Sequence, residues 1–351
     1  MSFSENAIMT RSRAIYAKRL TNQNYRELLN CSSVSEAADY LSTKTQYFDT
    51  FASVTSAKIN RMMLESLLRR DYVAQFSSLY KFSKIIGNEM CRYFVMINEI
   101  SVILSCLRYV MAPNKLDIFI SVPTFEDMSV GFDVLSLANS EDFSEMLTKL
   151  RQTEYYDVLK SLDGERPDVL KIENALYGYL DKRICEIAKK SLSSGEYKQV
   201  FEIIATDSDL RFISKLFRLK KYYHLSPEQI REYGFNVSES LLTKKETERM
   251  ITAQDEDGFI KALGSTAYAK DGGLQGVEDI THWARAYKHE KYSKKIMYST
   301  CPNVVMMCSF FLKDNEVKNI TSIIEGIKYG LEPDEIKKYL VGFENATKGG
   351  A

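Results

Sequence analysis

The chain has 351 residues, and its 47 basic side chains (Lys and Arg) are balanced by 47 acidic ones (Asp and Glu). A net charge of zero argues against a general binder of nucleic acid or of anionic membranes. The length allows two or three compact units with a sizeable core, and the six cysteines lack the paired spacing of a zinc site or a disulfide scaffold, so we expect buried free thiols.

The hydrophobic pattern is helical along almost the whole chain, and no section shows the sustained alternation that is typical of strands. The predicted helices lie, in chain order, at about 8–30, 35–41, 57–84, 91–109, 169–192 and 197–223. A low-regularity stretch at 117–133 includes a candidate short strand at 117–122. A glycine-rich stretch at 272–276 precedes a cationic helix that carries Lys288 to Lys295. The pattern predicts an all-α fold.

An acid followed by a stripe of apolar residues at helical spacing occurs three times, with a period of about 110 residues. The acids and the isoleucines in the equivalent slot are Glu99 and Ile103, Asp209 and Ile213, and Glu316 and Ile320. The position of each acid ahead of its stripe predicts helix capping and salt bridging. The stripes predict that all three isoleucines are buried.

Two further signatures recur in the same order. In the first, an apolar residue is followed by a proline, another apolar residue and an aromatic residue; its prolines are Pro113, Pro227 and Pro333. Around Pro227, Ser226 and Gln229 have the spacing of a helix-capping box. The second signature is a Thr-x-Tyr turn after a short apolar helix; its residues are Thr45 and Tyr47, Thr153 and Tyr155, and Thr266 and Tyr268.

Three signatures repeated three times predict three similar helical lobes rather than a thin solenoid of short repeats. We assign these lobes to residues 8–125, 126–240 and 241–343. The glycine-containing tail at 344–351 is expected to be disordered. The N-terminus lacks a signal-peptide core and no apolar run approaches the roughly 20 residues of a membrane span, so we expect a cytoplasmic protein or one held at a membrane by a partner.

The sequence offers no convincing catalytic, cofactor or metal site. His282 and His289 lie two helical turns apart, but no third ligand is nearby. Asp255 to Gly258 resembles part of a calcium-binding loop, yet Ala253 and Gly264 occupy positions that require carboxylates or close substitutes. The glycine-rich stretch matches no phosphate-binding motif. A three-carboxylate site built from Glu99, Asp209 and Glu316 is the remaining enzymatic alternative.

The repeat and its motifs resemble a known family. Thr10, Arg11 and Arg13 near the N-terminus, the Thr-x-Tyr turns, and the two C-terminal stretches Glu316 to Ile320 and Gly330 to Ile336 are similar to the C subunit of bacterial and archaeal V-type (A-type) ATPases. The eukaryotic counterpart is the d subunit. The resemblance covers about residues 8–343, and its most specific part is the last thirty or so residues of that range.

This resemblance implies three similar helical lobes arranged pseudo-threefold as a funnel with a central socket. It implies a non-catalytic subunit of the central stalk, without a cofactor, that couples the axle (D/F-type subunits) to the membrane rotor ring (c/K-type subunits) for ATP-driven or ATP-forming proton or sodium transport. The membrane contact would be indirect, through the ring, at the cytoplasmic face. A soluble helical scaffold or regulatory adaptor unrelated to ion pumping is the alternative from another class.

Overall fold

A computed structural model describes residues 3–51, 59–85, 87–112, 131–164, 167–235, 239–269, 274, 277 and 279–343. Every regular element within these ranges is an α-helix or a short 3-10 helix, so the predicted all-α class is confirmed for this part of the chain. Pro113, the candidate strand at 117–122, the glycines of the 272–276 stretch and the tail at 344–351 lie outside the described residues.

The helices follow the predicted ones with shifts of a few residues at their ends. In chain order they are α1 (Phe3–Ala17), α2 (Asn22–Leu29), α3 (Val34–Lys44), α4 (Phe48–Phe51), α5 (Arg61–Ile85), α6 (Arg92–Val110), α7 (Val134–Ala138), α8 (Phe143–Lys149), α9 (Tyr155–Leu159), α10 (Val169–Ser191), α11 (Ser194–Tyr223), α12 (Pro227–Glu232), α13 (Lys244–Thr252), α14 (Glu256–Gly264), α15 (Ile280–Tyr298), α16 (Pro302–Tyr329) and α17 (Pro333–Lys337).

The chain divides into two compact units. In its described part, the first unit joins the two ends of the chain, up to Asn88 and from Arg285 onward, and the second unit runs from Glu89 to Ala284. These units do not coincide with the predicted segments 8–125, 126–240 and 241–343, because the start of the first segment and the end of the third share one unit. The threefold division therefore stays a prediction.

The core of the first unit is built around α16. Both α1 and α5 pack along this helix, and Ile320 on α16 and Ile8 on α1 are fully buried. The single helix predicted at 8–30 is divided at Thr21, where a capping box with Asn24 starts α2. A polar residue that satisfies backbone N–H groups favours a new helix start over continuation of the old one.

The core of the second unit is built around α10, which packs against both α6 and α11. Ile103 on α6 and Ile213 on α11, which the repeat places in equivalent slots, are fully buried. The capping box predicted around Pro227 is present: Ser226 and Gln229 exchange hydrogen bonds at the start of α12, and the proline occupies the first helical turn.

A sharp turn joins α16 to α17 near the C-terminus. Gly330 has a left-handed backbone (φ 68°) that ends α16, and Pro333 starts α17 with a capping box between Glu332 and Glu335. The short helix folds back so that Ile336 lies against Gly326, where an added side chain would overlap it. This close approach places α17 at the carboxyl end of α16.

One helical stretch in the described part of the chain, Glu89–Val110, is long and apolar enough to cross a membrane by length and composition. Of its most apolar window, 78% is buried inside the protein. Its apolar side chains are therefore used in the core of the second unit, as is usual for a central packing helix.

All six cysteines are free thiols. Five are buried and Cys31 is partly exposed. Burial raises the pKa of Cys106 to about 12 and that of Cys185 to about 12, which keeps both thiols protonated and unreactive at neutral pH.

Candidate functional site

Each of the three repeated acids lies inside a helix, ahead of its apolar stripe but well after the first turn of that helix. Glu99 lies within α6, Asp209 within α11 and Glu316 within α16, and all three are buried. The prediction that they cap helices is wrong, because the turns around them already have their intrahelical hydrogen bonds. A buried carboxylate needs other donors to offset the loss of water.

The first donor is the tyrosine of a Thr-x-Tyr turn. The three hydrogen bonds run from Tyr155 Oη to Glu99 Oε2 (2.7 Å), from Tyr268 Oη to Asp209 Oδ2 (2.5 Å) and from Tyr47 Oη to Glu316 Oε1 (2.7 Å). All three tyrosines are buried. Their turns therefore have a purpose that the sequence alone did not reveal: they deliver a hydroxyl group to a buried carboxylate.

The Thr-x-Tyr turns share one local geometry. Each threonine hydroxyl donates to a carbonyl at the end of the preceding short helix; the bonds are Thr45 to Leu41 (2.6 Å), Thr153 to Leu150 (2.7 Å) and Thr266 to Leu263 (2.7 Å). Each hydroxyl also accepts the tyrosine N–H at 3.3 Å. Threonine side chains commonly replace backbone groups in such turns, which explains why Thr and Tyr recur at a fixed spacing.

The second donor is a backbone N–H just before a short helix. The bonds run from Gly131 to Glu99 (3.2 Å), from Leu241 to Asp209 (2.9 Å) and from Leu20 to Glu316 (2.6 Å). The helix caps that follow are Asp133, Thr243 and Thr21. We call each set of acid, backbone N–H and tyrosine a tyrosine–carboxylate cluster. The clusters account for two of the three repeated signatures, the acids and the Thr-x-Tyr turns.

Two of the clusters join an acid-bearing helix to the Thr-x-Tyr turn that follows it in sequence, across the predicted lobe boundaries. Glu99 pairs with Tyr155 and Asp209 with Tyr268, both within the second unit. Glu316 has no later turn to pair with and bonds instead to Tyr47, near the N-terminus. The last cluster therefore fastens the two ends of the chain together within the first unit.

The clusters differ in charge. Lys313 Nζ lies 2.9 Å from Glu316 Oε1, and Arg92 lies 3.3 Å from Glu99 Oε2, so the predicted salt bridges are present at two of the acids. Asp209 makes no ion pair within the described ranges; its neighbours include the Ser240 hydroxyl. Burial raises the pKa of Asp209 above its ordinary value, and the hydrogen bonds from Ser240 and Tyr268 oppose this effect.

The raised pKa of Asp209 predicts a pH-dependent stability. Because the folded state holds this proton more tightly than the unfolded state, stability falls as the pH rises from about 4 through the raised pKa. In Asp209→Asn the amide keeps an acceptor for Tyr268 and cannot ionise. We expect the unfolding free energy of Asp209→Asn, relative to the wild type, to increase as the pH rises. Urea denaturation across this range measures it, with exposed Asp157→Asn as the charge control; a pH-independent difference would contradict the assignment.

Within each cluster the carboxylate already accepts hydrogen bonds from a tyrosine and a backbone N–H. This arrangement fits a structural role better than a role in acid–base catalysis. Within the described ranges there is no group of three or more His, Cys, Asp or Glu side chains placed to hold a metal ion. His282 and His289, weighed as a metal pair, both lie on α15, and burial lowers the pKa of His289.

Comparison with known proteins identifies the family. The sequence model of the ATP synthase (C/AC39) subunit family matches residues 8–339. The chain belongs to this family. It is 24% identical to the C subunit of the A-type ATP synthase of Methanosarcina mazei, over 95% of this chain and 91% of that protein. It is 23% identical to the protein of the same name from Methanococcoides burtonii, over 95% and 93% of the two chains.

The family resemblance predicted from the motifs is therefore confirmed, and the chain is a member of the C/AC39 family over nearly its whole length. The match spans all three clusters, from Leu20 to Glu316. Because members of this family are subunits of a larger assembly, the exposed surfaces of the chain are candidate contacts with other subunits.

In this C/AC39 family member, large apolar side chains are exposed near the carboxyl ends of the helices that carry the acids. We call this region of each helix its tyrosine end. The exposed residues there are Met111 after α6, Tyr222 and Tyr223 at the end of α11, and Tyr329, Leu331 and Tyr339 around α16 and α17. Arg61 pairs with Glu325 in the last turns of α16, so the exposed side chains of Met62 and Met63 belong to the same end.

Proposed function

We propose that this chain is the non-catalytic rotor adaptor of an A- or V-type ATPase, which couples the axle of the central stalk to the membrane rotor ring. The axle would be formed by D/F-type subunits and the ring by c/K-type subunits, at the cytoplasmic face of the membrane. The chain would carry torque between them for ATP-driven or ATP-forming ion transport. Membership of the ATP synthase (C/AC39) subunit family supports this role.

The tyrosine ends are the observation that carries the proposal. Tyrosine and methionine are enriched at protein interfaces, and a helical partner is commonly bound through apolar anchors. Charges at these ends are largely paired with each other, as in Arg61 with Glu325 and Lys337 with Asp334. A surface with exposed aromatic groups and balanced charge fits the apolar face of an axle helix better than a strongly charged partner.

We further propose that the three predicted lobes surround a common axis as a pseudo-threefold funnel, with the tyrosine ends lining its socket. A socket of this kind would contact the axle from several sides. The buried clusters support a role in torque transmission, because a hydrogen-bonded carboxylate holds each acid-bearing helix to segments distant from it in sequence. Rigid modules would transmit rotation without internal slip.

Co-purification from mild-detergent membranes tests the proposal. A tagged full-length chain is expected to retain both the axle subunits and the ring subunits. Tyr329→Ser combined with Tyr339→Ser is expected to lose the axle and keep the ring. Phe48→Ser, which removes an exposed aromatic group elsewhere in the first unit, serves as the matched control for axle binding. Recovery of soluble regulatory proteins without any ATPase subunit would favour the scaffold alternative.

A further inference from the structure

The end of the first unit opposite its tyrosine end has a different chemistry. The helices α5 and α15 both finish there. The Arg11 guanidinium on α1 stacks 4.1 Å from the centre of the Phe82 ring on α5. Arg13, on the same turn of α1, donates to the carbonyl oxygens of Ile296 (3.0 Å) and Ser299 (2.9 Å) at the end of α15. These contacts hold the last turns of α5 and α15 beside one segment of α1.

Three large apolar side chains project from these last turns. Ile85 and Tyr298 are each 83% exposed, and Met297 is 59% exposed. Exposure this high shows that the side chains protrude, so they form neither a groove nor a pocket. Projecting apolar groups at the ends of two helices require an explanation, because a folded protein normally keeps such groups against its core.

Lysines flank the projecting groups. Lys81 and Lys84 on the last turns of α5 and Lys294 on α15 are exposed. Within the described residues, Lys81 and Lys84 make no ion pair, and Lys294 pairs with Glu290 at the surface. We call Lys81, Lys84, Ile85, Lys294, Met297 and Tyr298 the lysine end. The whole chain has zero net charge. The positive charge at the lysine end therefore comes from where its lysines lie in the fold and does not reflect a basic composition.

The projecting apolar groups are not a general feature of the repeat. The corresponding end of α10 in the second unit keeps two exposed lysines, Lys189 and Lys190. The turn that follows holds Ser191, Ser193, Ser194 and Gly195, and its apolar residue Leu192 is half-buried. A repeat that required apolar side chains for folding would have kept them in both places. The projecting groups of the first unit therefore have a use outside the fold.

We propose that the lysine end contacts an anionic lipid surface directly. The lysine ammonium groups would pair with lipid phosphates, while Ile85, Met297 and Tyr298 enter the boundary between headgroups and acyl chains. Tyrosine has the polar tip and apolar ring that suit this boundary, and basic residues next to a membrane gain affinity from its negative surface potential. A lipid surface accepts protruding side chains without a shaped pocket, which a protein partner would have to supply.

This contact goes beyond the proposed coupling of axle and ring. An adaptor held by the ring needs no lipid contact of its own, and the membrane contact expected from the sequence was indirect. Direct contact would place the lysine end of the first unit towards the bilayer and its tyrosine end away from it. The two ends of one unit would then face the two sides that a rotor adaptor has to join.

Vesicle flotation with the purified full-length chain tests the proposal. We expect the chain to float with vesicles of phosphatidylcholine and phosphatidylglycerol, to remain unbound with phosphatidylcholine alone, and to be released as salt is added. Lys81→Gln with Lys84→Gln, and separately Ile85→Ser with Tyr298→Ser, should each weaken binding by about tenfold or more. Lys244→Gln with Lys245→Gln, two exposed lysines on α13, is the matched control for charge, and Phe48→Ser is the control for an exposed aromatic group.

Equal binding to both vesicle types, or equal losses in the control variants, would overturn the lipid contact. It would also be overturned if the chain ignored vesicles and bound a lipid-free rotor ring through these same side chains, since the lysine end would then be a protein interface. Testing whether the axle and the ring still co-purify with the variants that have lost vesicle binding separates this proposal from the coupling role. Retained partners with lost flotation would leave the adaptor function standing.

Discussion

Glu316→Ala is expected to destabilise the protein by about 3–5 kcal/mol, the usual cost of removing one partner from a buried ion pair. The Glu316 carboxylate accepts hydrogen bonds from the Leu20 N–H and the Tyr47 hydroxyl and pairs with Lys313 at 2.9 Å. Its removal leaves a buried ammonium group whose next carboxylate, Asp71, lies 3.8 Å away. Urea denaturation followed by circular dichroism measures the loss in unfolding free energy.

Two comparisons make the Glu316 prediction specific. Asp209→Ala removes an equivalent acid without leaving a buried cation behind, and should cost less, about 1–3 kcal/mol for the unpaired donors. Lys313→Met combined with Glu316→Leu removes both charges and should recover much of the loss. If Glu316→Ala costs no more than Asp209→Ala, the buried ion pair does not contribute as argued.

Deleting the chain from an ATPase that contains it is expected to abolish ion transport while the catalytic head continues to hydrolyse ATP. An adaptor without chemistry of its own contributes nothing to hydrolysis, but its loss disconnects the axle from the ring. Paired assays of ATP hydrolysis and ion flux on membranes lacking the chain measure the two activities. Purified wild-type chain added back should restore flux. Coupled transport in membranes without the chain would contradict the rotor role.

Much of the helical architecture can be predicted from the sequence, because it depends on local signals. The long helices α10 and α11 begin and end within a few residues of their predicted limits, since apolar periodicity extends along them. The start of α12 follows from Ser226, Pro227 and Gln229, since the side chains of Ser226 and Gln229 each accept a hydrogen bond from the other's backbone N–H within a single turn. Local geometry of this kind is independent of the rest of the fold.

The residues of the clusters could be identified from the sequence, but the hydrogen bonds between them could not be predicted. The repeat singled out Glu99, Asp209 and Glu316 and the tyrosines, yet the position of each acid ahead of its apolar stripe suggested helix capping. The apolar stripe that follows each acid in fact begins in the middle of a longer helix whose earlier turns are also buried. Which acid meets which tyrosine depends on contacts between distant segments; Tyr47 and Glu316 are the extreme case.

The candidate surfaces were also beyond the reach of the sequence. Tyr298 and Tyr292 both lie on α15, six residues apart, yet Tyr292 is fully buried and Tyr298 is 83% exposed. Tyr298 is the last residue of α15, where Arg13 holds the carbonyl oxygens of Met297 and Ser299. Exposure at a helix end is a property of packing, so amphipathic patterns do not reveal it.

The central proposal is that this chain joins the axle to the membrane-bound ring and that its tyrosine ends bind the axle. Its most direct test uses membranes that hold the rotor ring but have been stripped of the catalytic head, the axle and this chain. Purified axle subunits are added with and without the chain, and the membranes are sedimented. The account predicts that the axle sediments only when the chain is present, and that Tyr329→Ser with Tyr339→Ser leaves the chain on the membrane but the axle in solution. Axle binding to stripped membranes without the chain would contradict the claim.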